Sequence, residues 1–145
     1  MDVSRIRALR GPNLWSRHTA IEAIVSCDEA ERDINDIPGF ETRLRERFPE
    51  ISLLQPALNG DAHSMAQILE FATLGLQAQA GCPVTFSRTA QTVEPGIYQV
   101  VVEYSEEEVG RLALELAQAL CQAAFNDQPF DLADALHRLR ELDED

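Results

Sequence analysis

Residues 95–124, PGIYQVVVEYSEEEVGRLALELAQALCQAA, decide the fold. Tyr98, Val100, Val102 and Tyr104 alternate with Gln99 and Glu103, the period-two pattern of a strand with one buried face. Ser105 stands where a helix N-cap belongs, and Glu108 three residues on completes an S-x-x-E capping box, with Tyr104 and Val109 spaced as a hydrophobic staple. Leu112, Ala113, Leu116, Ala117, Leu120 and Ala124 then form a stripe at helical spacing. Asn126 suits the left-handed turn that ends a helix, and Pro129 blocks continuation. A strand therefore runs straight into an amphipathic helix, a unit that supplies core and carries no chemistry of its own.

Upstream of this unit, residues 83–93 (PVTFSRTAQTV) read as its antiparallel partner across Glu94, Pro95 and Gly96. Before them a long helix over 62–80 places Met65, Ile68, Leu69, Ala72 and Leu76 on one stripe and stops at Gly81. A short helix over 40–48 aligns Phe40, Leu44 and Phe48 and ends at Pro49. Residues 51–61 are a connection with a short extended piece at 51–54. The chain opens on a hairpin. Residues 3–9 (VSRIRAL) set arginines on one side and Ile6 and Ala8 on the other, Gly11, Pro12 and Asn13 supply turn chemistry, and residues 20–27 (AIEAIVSC) return. After the central helix, Asp131 caps a last helix to about residue 142 that packs Leu132, Ala135, Leu136 and Leu139. The order β-β-α-α-β-β-α-α predicts an α+β two-layer sandwich, a four-stranded, mainly antiparallel sheet with helices on one face.

A chain of 145 residues with 45% apolar content fits a single domain over residues 1–145. Its net charge of −13 argues against nucleic acid, whose binding requires phosphate neutralisation. Arg5, Arg7, Arg10 and Arg17 against Asp2 alone give +3 over the first twenty residues and leave −16 for the rest. All 12 basic residues are arginine, so a lysine-dependent phosphate loop and a Schiff-base enzyme are excluded. Cys27, Cys82 and Cys121 are odd in number and widely spaced, the usage of reduced, buried thiols in a cytoplasmic protein. The first residues lack an apolar signal region and no run reaches membrane-spanning length. The closing ELDED places negative charge where the helix dipole disfavours it, which suggests a piece of a longer polypeptide.

Five blocks, LRGPNLWS at 9–16, DIPGF at 36–40, LGLQ at 74–77, SRTAQT at 87–92 and PGIYQVVVEYSEEEVGR at 95–111, together resemble the N-terminal domain of the cyanophycin synthetase family. The resemblance implies a parent ligase that polymerises aspartate and arginine at the expense of ATP. Its product is a poly-aspartate backbone carrying arginine on each side-chain carboxylate. It implies further that ATP and magnesium serve an ATP-grasp module and a Mur-ligase-like module absent from this chain, which itself needs no cofactor. The implied partners are the cyanophycin polymer, the remaining synthetase modules and further copies of a homo-oligomeric parent, with no nucleic acid or membrane. The implied role of the domain is non-catalytic: to hold the growing polymer, whose guanidinium groups suit an acidic surface and whose repeats give avidity.

Some family members are similar in this region but carry H-x-x-E-H on the long helix and use a metal there to cut polymer into primers. Two His at i and i+4 share a helix face, with the Glu as base. Here the window reads Gln67-Ile68-Leu69-Glu70-Phe71, so Gln67 and Phe71 replace both metal ligands and only Glu70 survives, as a solvated or partner-paired residue. No catalytic residue is expected. His18, His63 and His137 lie on three separate elements. Arg10, Asn13, Trp15 and Arg17 in the first hairpin loop, Arg88 and Thr89 on the third strand, and Glu103 on the fourth are the candidate polymer-binding residues. If the hairpins lie side by side, Arg88 approaches Arg5 or Arg7 and makes a basic spot for carboxylates. Equally, these arginines can pair with the domain's own Glu22 or Glu103. An endopeptidase making primers and an oligomerisation scaffold are the alternative functions, the second gaining weight if Leu53, Leu54, Phe130 and Leu132 form one exposed apolar patch.

Overall fold

The computed structural model describes residues 1–9, 19–49, 64–82 and 84–143. Strands β1 (Asp2–Leu9) and β2 (Ala20–Ser26) are followed by two 3-10 turns, then helices α1 (Phe40–Arg47) and α2 (Met65–Gln79). Strands β3 (Ser87–Gln91) and β4 (Ile97–Glu103) lead to α3 (Glu107–Asn126) and α4 (Leu132–Asp143). The four strands form one antiparallel sheet in the order β1-β2-β4-β3. Helices α2 and α3 lie against the sheet, and α1 and α4 pack on α3, so the α+β sandwich and its element order stand.

The strand order follows from composition. β2 and β4 are the most apolar strands and take the two central places, where both edges are hydrogen-bonded; the polar β1 and β3 fall to the outside. Ile21, Ala23 and Val25 of β2 and Val100 and Val102 of β4 project into the helix-side core. There they meet Ile68, Leu69, Ala72 and Leu76 of α2 and Ala113, Leu116, Ala117 and Leu120 of α3.

α3 buries more than the expected stripe. Leu114, Cys121 and Ala123 are buried as well, because the helix is enclosed by α1, α2, α4 and the sheet. Its ends also differ from expectation. The strand backbone continues through Tyr104, whose N–H and C=O both bond Thr19, so the turn into the helix falls at 105–106. Glu106 becomes the N-cap without a side-chain cap, and the Ser105–Glu108 capping box does not form. Tyr104 packs against the first turn of α3 at Gly110. At the far end Asp127, not Asn126, takes the left-handed conformation. No basic residue stands in the last turn of α3. α1 serves this end instead: Arg43 Nε donates to the α3 carbonyl of Ala124 at 2.6 Å, and Arg47 Nε to Gln128 O, just past the helix, at 2.6 Å.

Three other elements are adjusted. α2 starts after Ser64, which forms a true capping box with Gln67. β3 is shorter than 83–93 because the N–H groups of Thr85 and Phe86 bond the Glu103 carboxylate rather than a ladder. In β1 the register slips between Ser4 and Arg7, where Arg5 has φ 50. This bulge breaks the expected alternation and leaves Ile6 41% exposed instead of in the core. Phe130 and Leu132 are half-buried against the core, so they do not make the exposed patch considered above; Leu53, Leu54 and the extended piece at 51–54 lie outside the described residues.

Candidate functional site

The sheet face away from the helices mixes charged and apolar side chains. The pairing places Arg7, Glu22, Val101 and Arg88 in one row across β1, β2, β4 and β3. Glu22 stands at its centre, only 5% exposed. One carboxylate oxygen accepts from Arg7 Nε at 2.8 Å, the other from Gln99 Nε2 at 2.8 Å. A buried carboxylate needs such partners to remain charged, so Arg7 pairs with the domain's own acid. Arg7 remains 66% exposed at its side chain and still faces solvent. Beside it, a cleft of about 440 Å3 opens between the bulge at Arg5 and Ile6 and the β2 residues Glu22 and Ile24.

Arg88 shares this face and is exposed, but does not approach Arg5 or Arg7. The hairpins join through β2 and β4, which sends β1 and β3 to opposite edges, three strand steps of about 4.8 Å apart. Thr89 points the other way, into the helix layer, where its hydroxyl donates to Glu70 Oε1 at 2.7 Å. The second Glu70 oxygen accepts from Ser87 Oγ. Glu70 is thus partner-paired and buried, fastening the edge strand β3 to α2. Glu103 accepts at one oxygen from Thr85 N at 2.9 Å and Phe86 N at 3.2 Å, and its backbone oxygen accepts from Gln77 Nε2 at 2.9 Å. Its carboxylate shapes the entry to β3 rather than standing out from the sheet.

The remaining four candidates, Arg10, Asn13, Trp15 and Arg17, lie outside the described residues, as do His18 and His63. His137 is exposed on α4 and lies 2.9 Å from Glu141. In the window that would carry the metal, Gln67 caps α2 and Phe71 packs against the core. Neither side chain supplies an imidazole, and among the described residues no three His, Cys, Asp or Glu side chains are placed to hold a metal. Cys27, Cys82 and Cys121 are buried, reduced thiols. Burial, with the Glu31 charge second, pushes the Cys27 thiol up to about 11. Burial, with Cys27 second, pushes Cys121 up to about 12. Neither is therefore a thiolate nucleophile at neutral pH.

Sequence reasoning missed the bulge at Arg5 and the hydroxyl clamp on Glu70. The second had a usable signal: Ser87 and Thr89 are two apart on one strand, hence on one face, opposite a single acid on a helix stripe.

Residues 22–126 match the family described as the cyanophycin synthase-like N-terminal domain. The chain is 37% identical over 154 residues to the cyanophycin synthetases of Trichormus variabilis and of a Nostoc species, covering 98% of this chain and 17% of each relative. It is 35% identical over 156 residues to the cyanophycin synthetase of Geminocystis herdmanii, covering 98% of this chain and 18% of that protein. The match is confined to roughly a sixth of each relative's length, while it takes in nearly all of the chain. A sheet built on the SRTAQT and PGIYQVVVEY blocks and a family match running from β2 to the end of α3 lead to one conclusion: the chain belongs to the cyanophycin synthase-like N-terminal domain family.

Proposed function

We propose that this domain binds and tethers the growing cyanophycin polymer for a synthetase, without catalysing a step itself. The observation that carries the reading is the sheet face away from the helices, where Arg7 and Arg88 reach solvent on either side of the buried Glu22, in an otherwise acidic chain. A polymer of aspartate and arginine offers guanidinium groups for the acids and carboxylates for the arginines. Contacts that are individually weak and repeated along the polymer hold it while letting it slide. Gln67 and Phe71 in the metal window speak against the peptidase alternative. In this reading ATP and magnesium serve the parent's ligase modules, and those modules and further copies of the parent in the cytoplasm are the domain's partners.

Co-sedimentation of the chain with insoluble cyanophycin tests the proposal. Retention at low salt that falls as salt is raised is expected. No retention at low salt removes the tethering role, and shortened polymer after incubation would restore the peptidase.

A further inference from the structure

At the hairpin end of the open face lies a second cleft, of about 370 Å3, whose lining includes Arg5, Glu94, Ser26, Ile24 and Ile97. It holds one cation and one anion. Among the described residues, neither the Arg5 guanidinium nor the Glu94 carboxylate is engaged in a hydrogen bond or ion pair. Arg5 sits in the bulge of β1 with φ 50, a left-handed conformation uncommon for a residue with a side chain. The ladder fixes it on both sides, through Ser4 opposite Ile24 and Arg7 opposite Glu22. Backbone held in a sparsely populated region is concentrated at ligand sites, where the surrounding structure imposes it. Ile24 and Ile97 give the cleft aliphatic wall, and Ser26 adds a hydroxyl. Opposite charges without internal partners, beside an aliphatic wall, are complementary to a zwitterion with an aliphatic stem.

We propose that this cleft takes a single arginine unit with a free α-carboxylate, the carboxylate on Arg5 and the guanidinium on Glu94. The choice of arginine rests on the polymer-binding reading; a carboxylate matches a guanidinium fork in a way an ammonium does not. The site would then grip one branch of the polymer at the outer corner of the sheet.

Nuclear magnetic resonance titration of the 145-residue chain with Nα-acetyl-arginine tests this. Saturable shifts at Ser4, Arg5, Ser26 and Glu94 are expected, and about fivefold weaker binding of the α-amide and of Nα-acetyl-citrulline, each lacking one charge. Arg5→Asn, which tolerates the left-handed backbone, should weaken the acid about fivefold and leave the amide unchanged. Glu94→Gln should weaken the arginine probe about fivefold and leave citrulline unchanged. Unchanged circular dichroism melting would show both variants folded. Shifts elsewhere than this cleft, or equal binding of acid and amide, would overturn the site. Polymer retained by a chain that ignores acetyl-arginine would sink the cleft and leave the tethering role standing. Acetyl-arginine bound in the cleft by a chain that does not retain polymer would do the reverse.

Discussion

The side chain of Tyr104 lies directly on Gly110: a Cβ built at 110 falls 2.6 Å from Tyr104 Cβ and 3.1 Å from its Cγ. The missing side chain seats the ring at the junction of strand and helix. Gly110→Ala gains helix propensity of about 1 kcal/mol but forces an overpacked contact costing about 1–3 kcal/mol. A net loss of about 0–2 kcal/mol is expected in urea unfolding. A variant more stable than the parent chain would show that Tyr104 moves freely.

Glu70 ties β3 to α2 through two hydroxyls. Glu70→Ala leaves Ser87 and Thr89 without acceptors at a largely buried site and should cost about 1–3 kcal/mol. Hydrogen exchange should quicken first at β3, an edge strand with one ladder partner. Uniform acceleration across the sheet would argue against a local clasp.

The Arg7–Glu22 pair is expected to be asymmetric. Arg7→Ala leaves the buried Glu22 carboxylate without its cation and should cost about 1–3 kcal/mol. Glu22→Ala releases an arginine that is 66% exposed and readily hydrated, and should cost about 0–1 kcal/mol. Equal losses from the two substitutions would mean that burial of Glu22 contributes nothing.

Alkaline stability should follow the thiols. The folded state holds Cys27 protonated to about 11 against an ordinary value of 9.0, so its contribution is complete below pH 9 and is lost as pH rises from 9 to 11. That difference corresponds to about 2–3 kcal/mol at most. The melting temperature should therefore decline over that window, and less steeply in Cys27→Ala. Identical slopes in the two proteins would place the alkaline loss elsewhere.

If the open face meets the polymer, Arg88→Glu should lower its retention severalfold, the loss shrinking as salt screens the contact. Arg111→Glu makes the same change of charge on α3 in the helix layer and should leave retention nearly unchanged. Equal losses would reduce the effect to net charge.

Much of this was written in local pattern. β2 and β4 announced themselves through β-branched residues alternating with polar ones, and α3 through its apolar spacing. The point where Tyr104 stops being strand was not legible, since Ser105 and Glu108 satisfy a capping box on paper. Thr19, from the other hairpin, bonds Tyr104 at both its N–H and its C=O, and the cap falls at Glu106. The bulge at Arg5 was hidden because no glycine marks it. The separation of Arg88 from Arg7 turned on which strands take the centre of the sheet, a choice made by pairing between distant segments. Of the candidate site residues, Arg88 is exposed on the face away from the helices, whereas Glu103 and Thr89 are fastened to neighbouring backbone and to Glu70.

The two arginines of α1 that reach the end of α3 have a kinetic consequence. Arg43 lies 81 residues from Ala124, and the carbonyl it serves belongs to a helix end without a basic residue of its own. The final turn of α3 therefore has a reason to fray until α1 docks. The two helices should open and close as one cooperative unit, formed late in folding because so long a loop must close first.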